Sequence, residues 1–217
     1  MDEIIVRVAR TVACTARLRI LSALAREGEC PPSQLANDLD QGRDLISVHL
    51  KHLVTAGLIQ RRRSGLWCYG VAASPYTKQA FSGRIAAWLY DVLRHPREVL
   101  SDCGQAPGRK LSQAEVDRAL HAVLFHAFTA FTNVRRLQLL RRLRQSGPAT
   151  TEELSNELSI SPPALCRHTM KLGRRGYLRT DAIGREITYR LAEQAQCPVH
   201  AKLLELVAVE WETKIIP

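Results

Sequence analysis

Arginine, glutamine and histidine are the side chains whose types and spacing suit a definable chemistry in this sequence. Arg43 and Arg167 each carry a planar guanidinium fork that can give two hydrogen bonds to a guanine edge, and Gln41 can pair with adenine through its amide. Ser47 and His49 share a stretch with Arg43, as Ser161, His168 and Lys171 do with Arg167. Arg61, Arg62 and Arg63, with Arg179 and Arg185, have the charge to meet phosphate or enter a minor groove. Each such arginine also suits a solvated face, and His49 and His168 also suit partly buried packing, so the set carries the reading more than any member does. Cys197 and His200 offer two metal ligands where a tetrahedral site needs three or four, and no cofactor is expected. No Gly-rich phosphate loop, G-x-S-x-G elbow or H-E-x-x-H pair is present, so the chain does not read as an enzyme.

The charge balance agrees with a polyanionic partner without requiring one. The chain of 217 residues has 31 Lys and Arg against 21 Asp and Glu, a formal charge of +10. Residues 1–95 and 96–217 each contribute +5, so the excess belongs to folded segments and not to a tail. Nucleic acid, an anionic membrane surface and plain solubility all fit such a balance. A hydrophobic content of 46% argues against disorder, and 6% aromatic residues favour Leu- and Ala-rich helices over a β-sandwich. The acidic start, Met1-Asp2-Glu3, does not resemble a secretory signal, and no apolar run reaches the ~20 residues that span a bilayer. Six cysteines without paired C-x-x-C spacing read as free thiols, and the expected location is the cytoplasm.

An internal repeat organises the chain. Shifted by 119 positions without a gap, Leu18, Ile20, Leu21 and Leu24 fall on Leu137, Leu139, Leu140 and Leu143. The same shift places Gly28 on Gly147, His49 on His168, Leu53 on Leu172 and Gly57 on Gly176. Matched glycines and a matched histidine at one offset are harder to obtain by chance than matched leucines. Two copies of one module are expected, over 1–94 and 111–217, joined by a linker over 95–110 where Pro96, Gly104, Pro107 and Gly108 cluster.

Each copy repeats one local pattern. A leucine-rich helix ends at Gly28 or Gly147; a short helix follows over Pro32–Leu39 or Thr151–Leu158, the second opened by a threonine with a glutamate three residues on. After a tight turn a longer helix runs from Arg43 to Ala56 or from Pro162 to Arg175 and stops at Gly57 or Gly176. Two strands come next, Leu58–Arg63 and Leu66–Val71, then Tyr177–Asp181 and Glu186–Leu191 with a turn through Gly184. Further amphipathic helices are expected over Asp2–Ala13, Tyr76–Leu93, Ser112–Ala130 and Pro198–Glu212, and their stripes suit packing across the two halves. The expected fold is mainly α with small β-hairpins, two tandem winged helix-turn-helix modules.

The stretches Thr15–Leu21, His49-Leu50-Lys51-His52-Leu53 and Ala56-Gly57-Leu58-Ile59 resemble the ArsR/SmtB family of bacterial winged-helix regulators, and Cys166-Arg167-His168 with Gly176-Tyr177-Leu178 resemble it again. The resemblance implies a sequence-specific regulator of transcription, usually a homodimer, and hence a monomer that acts as an intramolecular pseudo-dimer on a two-half-site operator in double-stranded DNA. It places Gln41, Arg43, Ser47 and His49, and Ser161, Arg167, His168 and Lys171, on the two reading helices, with the wing arginines at the backbone. Metal-sensing members use cysteines in the short helix or histidines and carboxylates in the last; this sequence has only Cys30 near the first place and lacks a His pair in the second. Asp38, Asp40 and Asp44 around the first reading helix repel phosphate, so unequal half-sites or a weaker first module are expected. A small-molecule effector between flanking helices, near Trp88, Phe125, Phe128 and Trp211, is one further reading. A protein-interaction scaffold with weak DNA binding is the alternative to the regulator.

Overall fold

The structure, a computed structural model, describes residues 1–65, 67–105, 111–183 and 186–212. The first copy consists of α1 (Asp2–Val12), α2 (Thr15–Glu27), β1 (Glu29–Cys30), α3 (Pro32–Asp38), α4 (Arg43–Thr55), β2 (Gln60–Ser64), β3 (Trp67–Val71) and α5 (Phe81–Arg94). A short helix, α6 (Pro96–Asp102), occupies the first part of the segment expected as linker. The second copy follows as α7 (Gln113–Thr129), α8 (Val134–Ser146), β4 (Ala149–Thr150), α9 (Thr151–Leu158), α10 (Pro162–Arg174), β5 (Leu178–Ile183), β6 (Glu186–Leu191) and α11 (Pro198–Glu212). The bounds of α2 and α8, and of α4 and α10, differ by the repeat offset at both ends.

The backbone repeats as closely as the leucines do. Gly28 and Gly147 have φ of 78° and 77°, and Gly57 and Gly176 have 70° and 71°, all in the left-handed region that glycine enters without a Cβ penalty. Asp40 and Ser159, one offset apart, are the described non-glycine residues at positive φ, 50° and 51°. They form the turn that aims the longer helix away from the short one. Short polar side chains tolerate this conformation better than bulkier ones.

Two expectations change in detail. Each hairpin is part of a three-stranded antiparallel sheet, in the orders β1-β3-β2 and β4-β6-β5. The extra strands are two residues each, too short to leave a period in the sequence, and Cys30 opposite Gly70 ties the short helix to the wing. Helix α5 starts at Phe81 and not at Tyr76. The Ser74 hydroxyl donates to the Gly57 carbonyl at 2.6 Å and accepts the Tyr76 N–H at 3.1 Å, which holds the preceding residues in a loop. The expected turn at Gly184 lies outside the described residues.

The halves meet through reciprocal contacts. Helix α1 packs on α7, α5 on α11, α2 on α7 and α1 on α8. Asp2 pairs with Arg141, and the Ser22 hydroxyl lies 2.7 Å from the buried Nε2 of His121. His121 is one offset from Asp2, and Arg141 one offset from Ser22, so each copy gives the same two positions to the other. That exchange is the mark of an isologous contact. Within each copy Arg17 and Arg136 close the turn before the leucine-rich helix alike: Arg17 Nε donates to Thr11 O at 2.6 Å, and Arg136 Nε to Ala130 O at 2.7 Å.

Burial between the halves holds the pKa of His121 down to about 4. The unfolded chain therefore takes up this proton first, so the associated stability is present above pH 6.5 and is lost as pH falls toward 4. Thermal melts should show a loss approaching about 1.4 kcal/mol per pH unit per such histidine, made shallower by His121→Gln. Parallel profiles for the two proteins would remove His121 from this role.

Candidate nucleic-acid interface

Helix α4 is held by Ile46, Leu50 and Leu53, which are buried, and α10 by Leu165, Thr169 and Leu172. At 100° per residue these triplets leave an opposite face with Asp44, Val48, Lys51 and Thr55 in the first copy and Pro163, Arg167, Met170 and Arg174 in the second. All eight side chains are exposed. The repeat offset relates them pair by pair, so Val48 and Arg167 occupy one register position.

Several sequence candidates lie on or beside these faces. Arg43, Ser47, Ser161, Arg167 and Lys171 are exposed, and neither Arg43, Arg167 nor Lys171 forms an ion pair among the described residues. Gln41 is half-buried, with its Oε1 enclosed and without a hydrogen-bond partner. His49 and His168 lie midway along their helices and are half-buried. Desolvation, then Arg17, lowers the pKa of His49; desolvation, then Arg136, lowers that of His168. Both imidazoles are thereby favoured neutral, each influenced by one arginine of the leucine-rich helix, Arg17 of α2 or Arg136 of α8.

The wing arginines divide by strand alternation. Arg62 stands opposite Tyr69 in the ladder, donates to Glu29 from Nε at 2.9 Å and Nη2 at 2.6 Å, and lies 5.0 Å from the Tyr69 ring centre. Arg61 and Arg63 point to the other face, exposed and without an ion-pair partner among the described residues. Arg179 is exposed at the start of the second wing, and Arg185 lies outside the described residues. Sequence reasoning grouped Arg61, Arg62 and Arg63; the alternation that separates Arg62 was visible, but its partner Glu29 was not, because the pairing strand has only two residues.

The other expectations resolve as follows. Cys197 Sγ lies 3.3 Å from His200 Nδ1, and His200 Nε2 lies 3.0 Å from His126 Nδ1. Burial, then hydrogen bonding with Cys197, pushes the Cys103 thiol up to about 12. Among the described residues no group of three or more His, Cys, Asp or Glu side chains could hold a metal ion. Phe128 and Trp211 are buried, with Trp88 packed 6.0 Å from Phe128; Trp88 also lines an open cleft of about 580 Å³ with Tyr76, Tyr90 and Arg94. No helix among the described residues is long and apolar enough to cross a membrane.

Sequence reasoning missed Leu45, Val48 and Met170, which are 47%, 50% and 50% exposed on α4 and α10. Laying the two long helices over one another at the repeat offset would have exposed the Val48 and Arg167 contrast.

Comparison with known proteins gives a result for each copy. The family described as bacterial regulatory protein, arsR family, matches residues 14–61 and 133–180, two spans related by the repeat offset at both ends. No curated protein matches the chain. Among solved structures, HlyU from Vibrio cholerae N16961 is similar at 26% sequence identity, over 46% of this chain and 97% of that one, with a TM-score of 0.35.

Proposed function

Because the chain carries two tandem domains of the bacterial ArsR regulatory family, and is on that ground a DNA-binding transcriptional regulator, we propose that it reads one operator as an intramolecular pseudo-dimer. One observation carries this reading: the reciprocal exchange of Asp2–Arg141 and His121–Ser22 between copies whose long helices share one register. In a two-chain dimer the symmetry operator would be crystallographic or molecular; here the linker supplies it covalently. Helices α4 and α10 then face two half-sites about one turn of DNA apart, ~34 Å. Their unlike side chains make those half-sites unlike. The family likeness favours repression as the sign of control. The function is binding, with α4 and α10 as readers and the wings on the backbone.

Selection from a random duplex library, followed by salt titration of the best sequence, tests this. The expected result is a motif of two unequal halves and an affinity that falls steeply with salt. Arg61→Ala and Arg63→Ala should each reduce the slope of log K against log salt by about one, and Arg62→Ala should leave it unchanged. No enriched sequence, with weak binding even at low salt, would move the interaction scaffold to first place. Equal losses at all three arginines would show that the Glu29 pair does not hold Arg62 off the DNA.

A further inference from the structure

The central position of the outward face differs in kind between the two reading helices. Arg167 ends in five N–H donors; Val48, at the equivalent position, ends in two methyl groups and has neither donor nor acceptor. Val48 is 50% exposed, and Leu45, three residues earlier on the same helix, is 47% exposed. Water-facing apolar pairs at spacing three on a helix otherwise lined by Asp44, Ser47, Lys51 and His52 are not explained by the core, which α4 meets through Ile46, Leu50 and Leu53.

Resting on the proposed reading of DNA, we infer that Val48 and Leu45 make the first copy a reader of thymine methyl groups, while Arg167 makes the second a reader of guanine. The major groove presents one apolar feature, the C5 methyl of thymine, and side chains without polar atoms discriminate there by contact alone. Asp44 sharpens the choice. Its carboxylate only accepts hydrogen bonds, so it meets a base edge favourably at the amino group of cytosine or adenine and is repelled by the acceptors of guanine. Lys51, beside Val48 on the outward face, and Arg43, at the first position of α4, offset the repulsion of Asp38, Asp40 and Asp44 toward the phosphates. The first half-site is therefore thymine-centred and guanine-poor, and the second is guanine-centred.

The test uses the full chain and the duplex recovered by selection. Val48→Arg and Arg167→Ala, each selected again, show which half-site belongs to which helix. Replacing thymine by deoxyuridine in the first half-site removes only the methyl group and should lower affinity about fourfold for each contacted base. In Val48→Ala with Leu45→Ala that ratio should fall to about one, and in Val48→Arg the preference at the position should move to guanine. Deoxyuridine in the second half-site should have a smaller effect, since Met170 is the one large apolar side chain exposed on α10 among the described residues, and Val48→Ala with Leu45→Ala should leave that effect unchanged. Both altered side chains are exposed, and circular dichroism checks that the variants fold. A wild-type chain that binds its selected duplex but does not distinguish thymine from deoxyuridine overturns this inference alone. A wild-type chain that enriches no sequence overturns the DNA-reading proposal on which it rests. Variants that keep the thymine preference unchanged show that this face of α4 is not the base reader.

Discussion

Alanine at Arg167 is expected to weaken binding to the selected duplex by about 10- to 100-fold and to abolish the preference at one base pair, because a bidentate arginine–guanine contact is worth ~1–3 kcal/mol of discrimination. The residue is exposed at the centre of the outward face of α10 and is not drawn into an ion pair among the described residues. The variant costs the fold little, since alanine suits an exposed helix interior. Salt separates base contact from backbone contact. A phosphate contact would be lost evenly across sequences and would reduce the salt slope by about one, whereas a base contact leaves the slope in place and relaxes one position. Arg167→Lys should recover little of the loss, since an ammonium keeps the charge but not the fork. His168→Ala should relax specificity less, because that ring is half-buried and off the outward face that Arg167 occupies. A slope that falls with unchanged base preference would reassign Arg167 to the backbone.

Most of this architecture was legible because it is written twice. A single copy of Leu18, Leu21 and Leu24 indicates one amphipathic helix; its recurrence at one offset, with Gly57 on Gly176, indicates a module with a defined turn after a defined helix. The left-handed φ of both glycines explains why those positions had to match. What the sequence concealed is what depends on the third dimension. Glu29 takes Arg62 from the wing across a ladder of two residues, and Ser74 holds Tyr76 in a loop where periodicity suggested helix. The pairing of His121 with Ser22 and of Arg141 with Asp2 also has no local signal, because a reciprocal contact between halves becomes visible only when both faces are in place. The outward positions of the long helices fall between these cases. The long helices were readable, but which of their residues point outward depends on which leucines are buried, and an apolar Val48 carries no signal of its own that it faces water.

Gly83 shows how much one unremarkable glycine in α5 can carry. A Cβ at this position would press into the carbonyl oxygen of Thr77, far inside contact distance, and would meet the Tyr76 carbonyl oxygen at 2.7 Å. Backbone atoms cannot rotate away as a flexible side chain can. The loop that they belong to is pinned on several sides: Gln60 donates to the Ser74 carbonyl at 2.7 Å, Ser74 to the Gly57 carbonyl, and Arg84 to the Lys78 and Gln79 carbonyls. Alanine normally stabilises a helix interior relative to glycine by roughly 1 kcal/mol. Here the clash should outweigh that gain, for a net loss of about 3 kcal/mol and a melting temperature lower by roughly 6–12 °C. Lys202, one offset away in α11, is exposed and pairs at the surface with Glu205 at 2.7 Å, so Lys202→Ala should stay within about 0.5 kcal/mol. The effect should also reach the partner copy. Arg84, next to Gly83, pairs with the buried carboxylate of Glu210 where α5 meets α11, so a shifted α5 strands that charge between the halves. DNA affinity should therefore fall in Gly83→Ala although the residue lies on neither reading helix. A variant with unchanged melting and unchanged affinity would mean that the loop yields at little cost and that the contact between α5 and α11 does not set the spacing of α4 and α10.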